Sequence, residues 1–251
     1  MKKKWRILKI LITLVALGFL LNFSLGRFNN APMDSISVNM LYPEGEEKVY
    51  FISEKDIADI VKKSNPTHKI GDISISDMEQ KIDHLPAVDS ANVYLNLNGD
   101  LKLDIQQKIP AFRLKKGEKD FYVDKKGEEF PTYKSYSHQT MLVTGNVKKE
   151  EYAEVISLID KIKKDDFSRK YFIGISKTGN NYFLVTSQGD FNVELGDLNQ
   201  IELKLKGFKA FVEKHLVYQE PNKYEKISLK FNNQIVATLN PNLINKKIRT
   251  N

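Results

Sequence analysis

Cysteine is absent from all 251 residues. Disulfide staples and cysteine-ligated zinc sites are therefore excluded, and stability has to come from packing. The absence also fits an oxidising compartment. Histidine is scarce: His68, His84, His138 and His215 have no metal-ligand neighbour at helical or hairpin spacing, and each reads as an exposed polar residue. The motifs G-x-S-x-G, S-x-x-K and H-E-x-x-H are missing, as is a phosphate-cradling glycine loop. Asp165-Asp166 and Glu150-Glu151 are carboxylate pairs, but both read as helix-end residues. Asp124, before Lys125-Lys126-Gly127, reads as a turn residue. No acid, base and nucleophile converge, so catalysis has no support. Internal repeats and low-complexity tracts are also missing.

What is present begins with charge. The net charge is +7, but its placement matters more than its size. Lys2, Lys3, Lys4, Arg6 and Lys9 crowd one end, and Lys246, Lys247 and Arg249 the other. Taking those eight away from 39 leaves 31 basic residues against 32 acidic ones. The body is near neutral, and it lacks the basic face that nucleic-acid binding requires. Hydrophobic residues make up 41%, enough for packed cores.

The basic cluster precedes an apolar stretch, Ile7 to Leu25, broken only by Lys9, Thr13, Gly18, Asn22 and Ser24. As a helix its 19 residues span ~28 Å, about one bilayer core. Lys9 can snorkel to the headgroups, and Trp5 suits the interface. The positive-inside rule keeps the N-terminus cytoplasmic and exports the rest. The segment alone leaves two outcomes open: retention as an anchor, or cleavage at Ser24-Leu25-Gly26. No second run approaches ~18 apolar residues, so there is one crossing at most.

Beyond a polar linker at 26–34, the alternating Ile36-Ser-Val-Asn-Met40 reads as a strand. Ser53 with Asp56 forms a capping box for a helix bearing Ile57, Ile60 and Val61 on one face. That helix stops before Asn65-Pro66. Ser76 and Glu79 are expected to cap a second helix, with Met78, Ile82 and Leu85 on one face and Pro86 after its end. Val93, Leu95 and Leu97, then Asn98-Gly99, then Leu101, Leu103 and Ile105 predict a β-hairpin with a two-residue turn. Residues 35–113 thus read strand–helix–helix–strand–strand. The second half predicts strands at 121–127, 141–145, 171–176, 182–186, 190–195, 227–231 and 234–239, with helices at 150–164 and 198–216. The fold class is α+β: one N-terminal transmembrane helix, a compact α+β domain, and an antiparallel β-sheet domain with flanking helices.

Several local patterns carry a family resemblance. Leu85-Pro-Ala-Val-Asp-Ser-Ala-Asn-Val93 resembles Leu-Pro-Trp-Val-x-x-Ala-x-Val, Gln107-Lys-Ile-Pro-Ala111 resembles Glu-Arg-x-Pro-x-Ala, and Tyr122-Val-Asp-Lys-Lys-Gly127 resembles a Val-Asp-x-x-Gly turn. In this order the chain is similar to the bacterial division family FtsQ/DivIB over nearly its full length, and its lysine- and asparagine-rich style resembles Bacteroidetes members. Ala87 replaces the usual aromatic and Gln107 the usual glutamate, which puts the contacts at those positions in question. The resemblance implies a cytoplasmic tail at 1–6, a membrane helix at 7–25, a linker at 26–34, a POTRA-like domain at 35–113, a β domain at 114–240 and a basic tail at 241–251.

It also implies a non-enzymatic scaffold of the division septum in the inner membrane, with periplasmic domains and no cofactor, metal, nucleic acid or small-molecule substrate. The partners implied are single-span division proteins of the FtsB and FtsL type, added as a strand to the last β-strand. By position the contacts are Lys230, Phe231, Asn233, Gln234, Val236 and Leu239, with Leu239 standing where tryptophan is found. The residues agree in kind, because an edge strand offers unpaired N–H and C=O groups. A proline at Val236 is expected to remove one ladder donor and weaken partner binding. Two other readings stay open: a POTRA-containing component of envelope assembly or secretion, and an anchored periplasmic enzyme built on His138 or His215 with Asp124. A division scaffold works from the membrane, so with the resemblance the first segment reads as a permanent anchor.

Overall fold

The structure is a computed structural model that describes residues 2–96, 98–220, 222–231 and 234–241, with side chains from residue 5 onward. Leu97, Asn232, Asn233 and the tail from 242, all part of the sequence reading, lie outside the described residues. The chain divides into two compact units, Met1–Lys108 and Ile109–Asn251. That division falls a few residues before the 113/114 boundary read from the sequence, because the strand after Lys108 pairs within the second sheet.

The first unit opens with helix α1, Lys2–Asn29. Within Trp5–Asn29 an 18-residue window has a mean hydropathy of 2.1, and none of that window is buried by the rest of the chain. So much uncovered apolar side chain is unfavourable in water, and 25 residues extend ~37 Å, enough to cross a bilayer core. The helix therefore fits a single-pass membrane anchor. It is longer than the 7–25 segment, and it takes in the first four residues of the expected linker at 26–34. Helix continues through Ser24-Leu25-Gly26 to Asn29, where Asn30 N–H and Nδ2 both donate to the Gly26 carbonyl. Pro32, which has no N–H to continue the ladder, follows at once.

Then come β1 (Ile36–Leu41), α2 (Glu54–Ser64), α3 (Ile75–Asp83), β2 (Val88–Leu95) and β3 (Leu101–Gln107). The sheet order is β1-β3-β2, with β1 parallel and β2 antiparallel to β3. Ile57 and Val61 of α2 and Met78 and Ile82 of α3 are buried against Val88, Val93, Leu101, Leu103 and Ile105. The capping box of α2 forms as expected: Ser53 Oγ accepts from Asp56 N–H and Asp56 Oδ2 accepts from Ser53 N–H. Helix α3 is capped by Ser74 rather than Ser76, with Ser74 Oγ accepting from Asp77 N–H at 3.3 Å. Starting two residues earlier lets Ile75 pack against the core. The hairpin turn also differs. Asn96 N–H donates to Asp100 O and Gly99 N–H to Asn96 O, and Gly99 takes φ +89°. Glycine adopts that positive φ without a Cβ clash.

The second unit holds β4 (Pro110–Lys116), β5 (Lys119–Asp124), β6 (Glu129–Pro131), β7 (Met141–Gly145), α4 (Tyr152–Lys164), α5 (Asp166–Tyr171), β8 (Phe172–Thr178), β9 (Asn181–Thr186), β10 (Asn192–Gly196), α6 (Ile201–Lys214), β11 (Tyr224–Phe231) and β12 (Gln234–Leu239). One nine-stranded sheet runs β12-β11-β10-β9-β8-β7-β4-β5-β6. It is mixed rather than wholly antiparallel: β4·β7, β7·β8 and β10·β11 are parallel. A parallel partner needs a long return path: α4 and α5 make it from β7 to β8, α6 makes it from β10 to β11, and β4 reaches β7 by way of β5 and β6. Val155, Ile159, Ile162, Phe208 and Val212 from α4 and α6 pack with Phe112, Leu184, Val193 and Ile227 of the sheet. Asp165 caps the short α5, accepting from Ser168 N–H at 2.8 Å.

Candidate functional site

The proposed contact residues gather on the β11–β12 hairpin at one end of the sheet. Lys230 and Phe231 close β11, Gln234 opens β12, Val236 lies mid-strand and Leu239 ends it. Phe231 is 53% and Leu239 45% exposed. Among the described residues β12 pairs with β11 alone, and two irregularities of register interrupt that pairing, between Tyr224 and Lys226 and between Ser228 and Phe231. Along β12, Ile235 and Ala237 pack toward the core. Val236 and Thr238 face the other side, as strand alternation requires.

The backbone has a direction too. Asn240 N–H donates to Lys223 O at 2.9 Å. Amides alternate sides along an extended strand, so those of Thr238 and Val236 also face β11. The amides of Ile235, Ala237 and Leu239 face the open edge. Proline at Val236 would thus break the internal ladder, and Ala237 is the position that presents a donor outward.

Between α6 and this hairpin lies a cavity of about 190 Å³ lined by Leu203, Gly207, Leu229, Phe231, Gln234 and Ile235 among others. Leu203 is 54% exposed at its mouth. Sequence reading did not single out the α6 side of this groove. A signal was present: Leu203 falls off the Ile201, Leu205, Phe208, Val212 stripe and so cannot be a core residue of that helix. Charges flank the hairpin in pairs. Lys226 lies 3.4 Å from Glu194, and Lys204 Nζ donates to Leu195 O and to Asp197 Oδ1, both at 2.8 Å. The Lys204 hydrogen bond, followed by that from Asn199, holds the Asp197 carboxyl below its ordinary value.

The other singled-out residues are dispersed. Asp124 is buried, and its Oδ1 accepts from the N–H groups of Lys126 and Glu128, closing the turn. His138 Nδ1 meets Tyr136 Oη and His215 Nε2 meets Tyr224 Oη, on separate elements. Among the described residues no group of three His, Asp or Glu is placed to hold a metal. Glu151 forms a lock rather than a catalytic pair. Burial opposes its ionisation most strongly, yet hydrogen bonds from Lys177, Lys148 N–H and Tyr182 outweigh that and hold the carboxyl low. Ala87 and Gln107 are 0% and 4% exposed, so their departures from the family pattern are internal. Gln107 Nε2 donates to Val49 O and Ile52 O while its Oε1 accepts from Ile52 N–H, a double role that a carboxylate could not fill.

Comparison with known proteins bears on both units. No curated protein matches the chain. Residues 43–106 match the family described as POTRA-like domain, and residues 109–238, just over half the chain, match the one described as FtsQ/DivIB, C-terminal related. With a POTRA-like domain ahead of that region and an apolar helix before both, the chain belongs to the FtsQ/DivIB, C-terminal related family of cell-division proteins.

Proposed function

We propose that the chain is a non-enzymatic scaffold of the division septum that recruits FtsB- and FtsL-type partners by strand addition to β12. One observation carries this reading: β12 ends the sheet with six residues, Gln-Ile-Val-Ala-Thr-Leu, that include no charge and no proline. Such an edge is a template for another chain. Exposed Phe231, at the end of β11 opposite Gln234, and Leu239, at the end of β12, offer apolar anchors, and the groove under Leu203 offers a recess for a side chain of the incoming strand. Lys230, Gln234 and Val236 complete the proposed contact set, together with Asn233.

In this reading residues 1–6 remain cytoplasmic, fixed by the basic residues ahead of the apolar helix. Both folded units are then periplasmic, linking early and late division components from the inner membrane. The test is Ala237→Pro. Proline is tolerated on an edge strand where its nitrogen faces outward, so the fold should survive while one docking donor is lost. Capture of a co-expressed FtsB/FtsL-type pair is expected to fall at least ~10-fold, about 1.4 kcal/mol. Unchanged capture by a folded Ala237→Pro variant would sink the β12 site, and uniform envelope labelling by a fluorescent fusion in dividing cells would count against the septal role.

A further inference from the structure

The junction between α1 and the first unit has no slack. Asn29 is the last helical residue, and the Ala31 carbonyl already accepts from Ile70 N–H at 3.0 Å. Met33 N–H donates to His68 O at 2.8 Å, Asp34 N–H to Gly99 O at 3.2 Å, and Pro32 bridges Lys69. The Met33 side chain packs into the domain core. Gly71 lies so close to the helix end that a Cβ there would sit 2.7 Å from Asn29 Cβ and 2.8 Å from its carbonyl oxygen. A single residue, Asn30, separates the helix from the first of these bonds.

The loop receiving the helix is itself stiff. Asn65, 1% exposed, donates from Nδ2 to Lys69 O at 3.2 Å. Thr67 Oγ1 contacts Asn65 Oδ1 at 3.0 Å and Asp72 Oδ2 at 2.6 Å. His68 is held at φ +54°. Its ring and the Lys69 side chain are exposed.

Helix length sets the depth of this loop. With Ile7 to Leu25 filling the hydrocarbon core, Leu25 to Asn29 adds ~6 Å. The headgroup layer beyond that core is about 5–8 Å deep. Asn29 therefore ends within or just outside the headgroups, and the loop touching it lies at the same level. Arg27, in the last turn of α1, also falls in that zone.

We propose that the His68–Asp72 turn, with Lys69 foremost, is a lipid-contact site, and that the POTRA-like domain rests in one fixed orientation on the phosphate layer of the leaflet from which α1 emerges. The proposal rests on the reading of α1 as a membrane span. Strand β3 then runs away from the bilayer, since Leu101 N–H bonds Ser35 O at the junction while Gln107 bonds Ile52 at the far end, ~20 Å off.

The cysteine-free chain permits a direct test with single labels. Val15→Cys, Lys69→Cys and Glu54→Cys variants of the full chain, each carrying a nitrobenzoxadiazole fluorophore, are reconstituted in phosphatidylcholine/phosphatidylglycerol vesicles. Lipids bearing a nitroxide on the headgroup or deep in the acyl chain serve as quenchers. Val15 should be quenched from the acyl chain, and Lys69 from the headgroup severalfold more than Glu54. A Gly-Ser-Gly-Ser insertion after Asn30 should bring Lys69 down to the level of Glu54. No acyl-chain quenching at Val15 overturns the membrane-span reading itself. Quenching at Val15 with Lys69 no higher than Glu54 overturns only the lipid contact, and an insertion that leaves Lys69 unchanged overturns the fixed tether.

Discussion

The nine-stranded sheet ends in two very different edges. At one end β6 is three residues long, Glu129-Phe130-Pro131, and carries both a charge and a proline. Phe130 is 2% exposed with its ring 5.4 Å from that of Tyr122, and Glu129 accepts from Tyr152 Oη at 2.8 Å. Short length, proline and charge are the devices by which proteins blunt an edge. At the other end β12 has six residues and none of these devices. One sheet thus contains a closed edge and an open one, and the chemistry that would close the second is within reach of a few substitutions. The difference supports the proposal that β12 is the edge left to a partner.

The contrast can be broken from the closed side first. Phe130→Ala removes the packing that holds β6 and should cost ~3–5 kcal/mol in urea unfolding, in line with other buried aromatic truncations. A loss below ~1 kcal/mol would mean that β6 is held by something other than its core residue. On the open side, Val236→Pro should lower stability by about 1–3 kcal/mol, because its amide belongs to the β11 ladder. Ala237→Pro should leave the unfolding midpoint nearly unchanged. Equal destabilisation by the two prolines would refute the assignment of inward and outward amides.

Phe231→Ala sharpens the comparison further. An aromatic ring half in solvent adds little to the fold, so stability should move by less than ~0.5 kcal/mol. Partner capture should weaken by ~1–2 kcal/mol if the ring is an anchor, measured by titration of the purified pair. The smallest effect concerns pH. Glu151 has a folded pKa below its unfolded one, so its lock with Lys177 adds stability above about pH 4.3 and loses it as pH falls through the folded value. Strand β12 has no titratable side chain and adds no such slope. Lys177→Met should flatten the fall in urea midpoint between about pH 5 and 3, and an unchanged slope would show that the lock is not the source.

How much of this was legible in the sequence depended on how local the signal was. Strand β12 matched 234–239, because alternation and flanking turn residues were both present. The capping box at Ser53 was legible for the same reason. At α3 two serines each precede an acidic residue by three positions, and only the packing of Ile75 favours Ser74 over Ser76. Strand β4 carries a weak local signal, since it opens on Pro110 and closes in Lys115-Lys116. Helix α5 has six residues, too few to show a period. The parallel pairings had no local signature at all, since they join segments far apart in the chain. At the candidate site, the strand came from position and pattern, whereas the direction of its amides and the groove beside Leu203 needed coordinates.

Parallel pairing has a further consequence, one of timing. Strand β1 follows the apolar helix α1, yet among the described residues its one strand partner is β3, with Ile36 opposite Leu101. At synthesis rates of ~5–20 residues per second, roughly 3–13 s pass between the appearance of the two strands. During that interval Ile36, Val38 and Met40 have no β3 to pair with, while the helix ahead of them is already complete. The sheet of the first unit can therefore take up β1 only once β3 has appeared. A chaperone or the bilayer surface has those seconds in which to hold it.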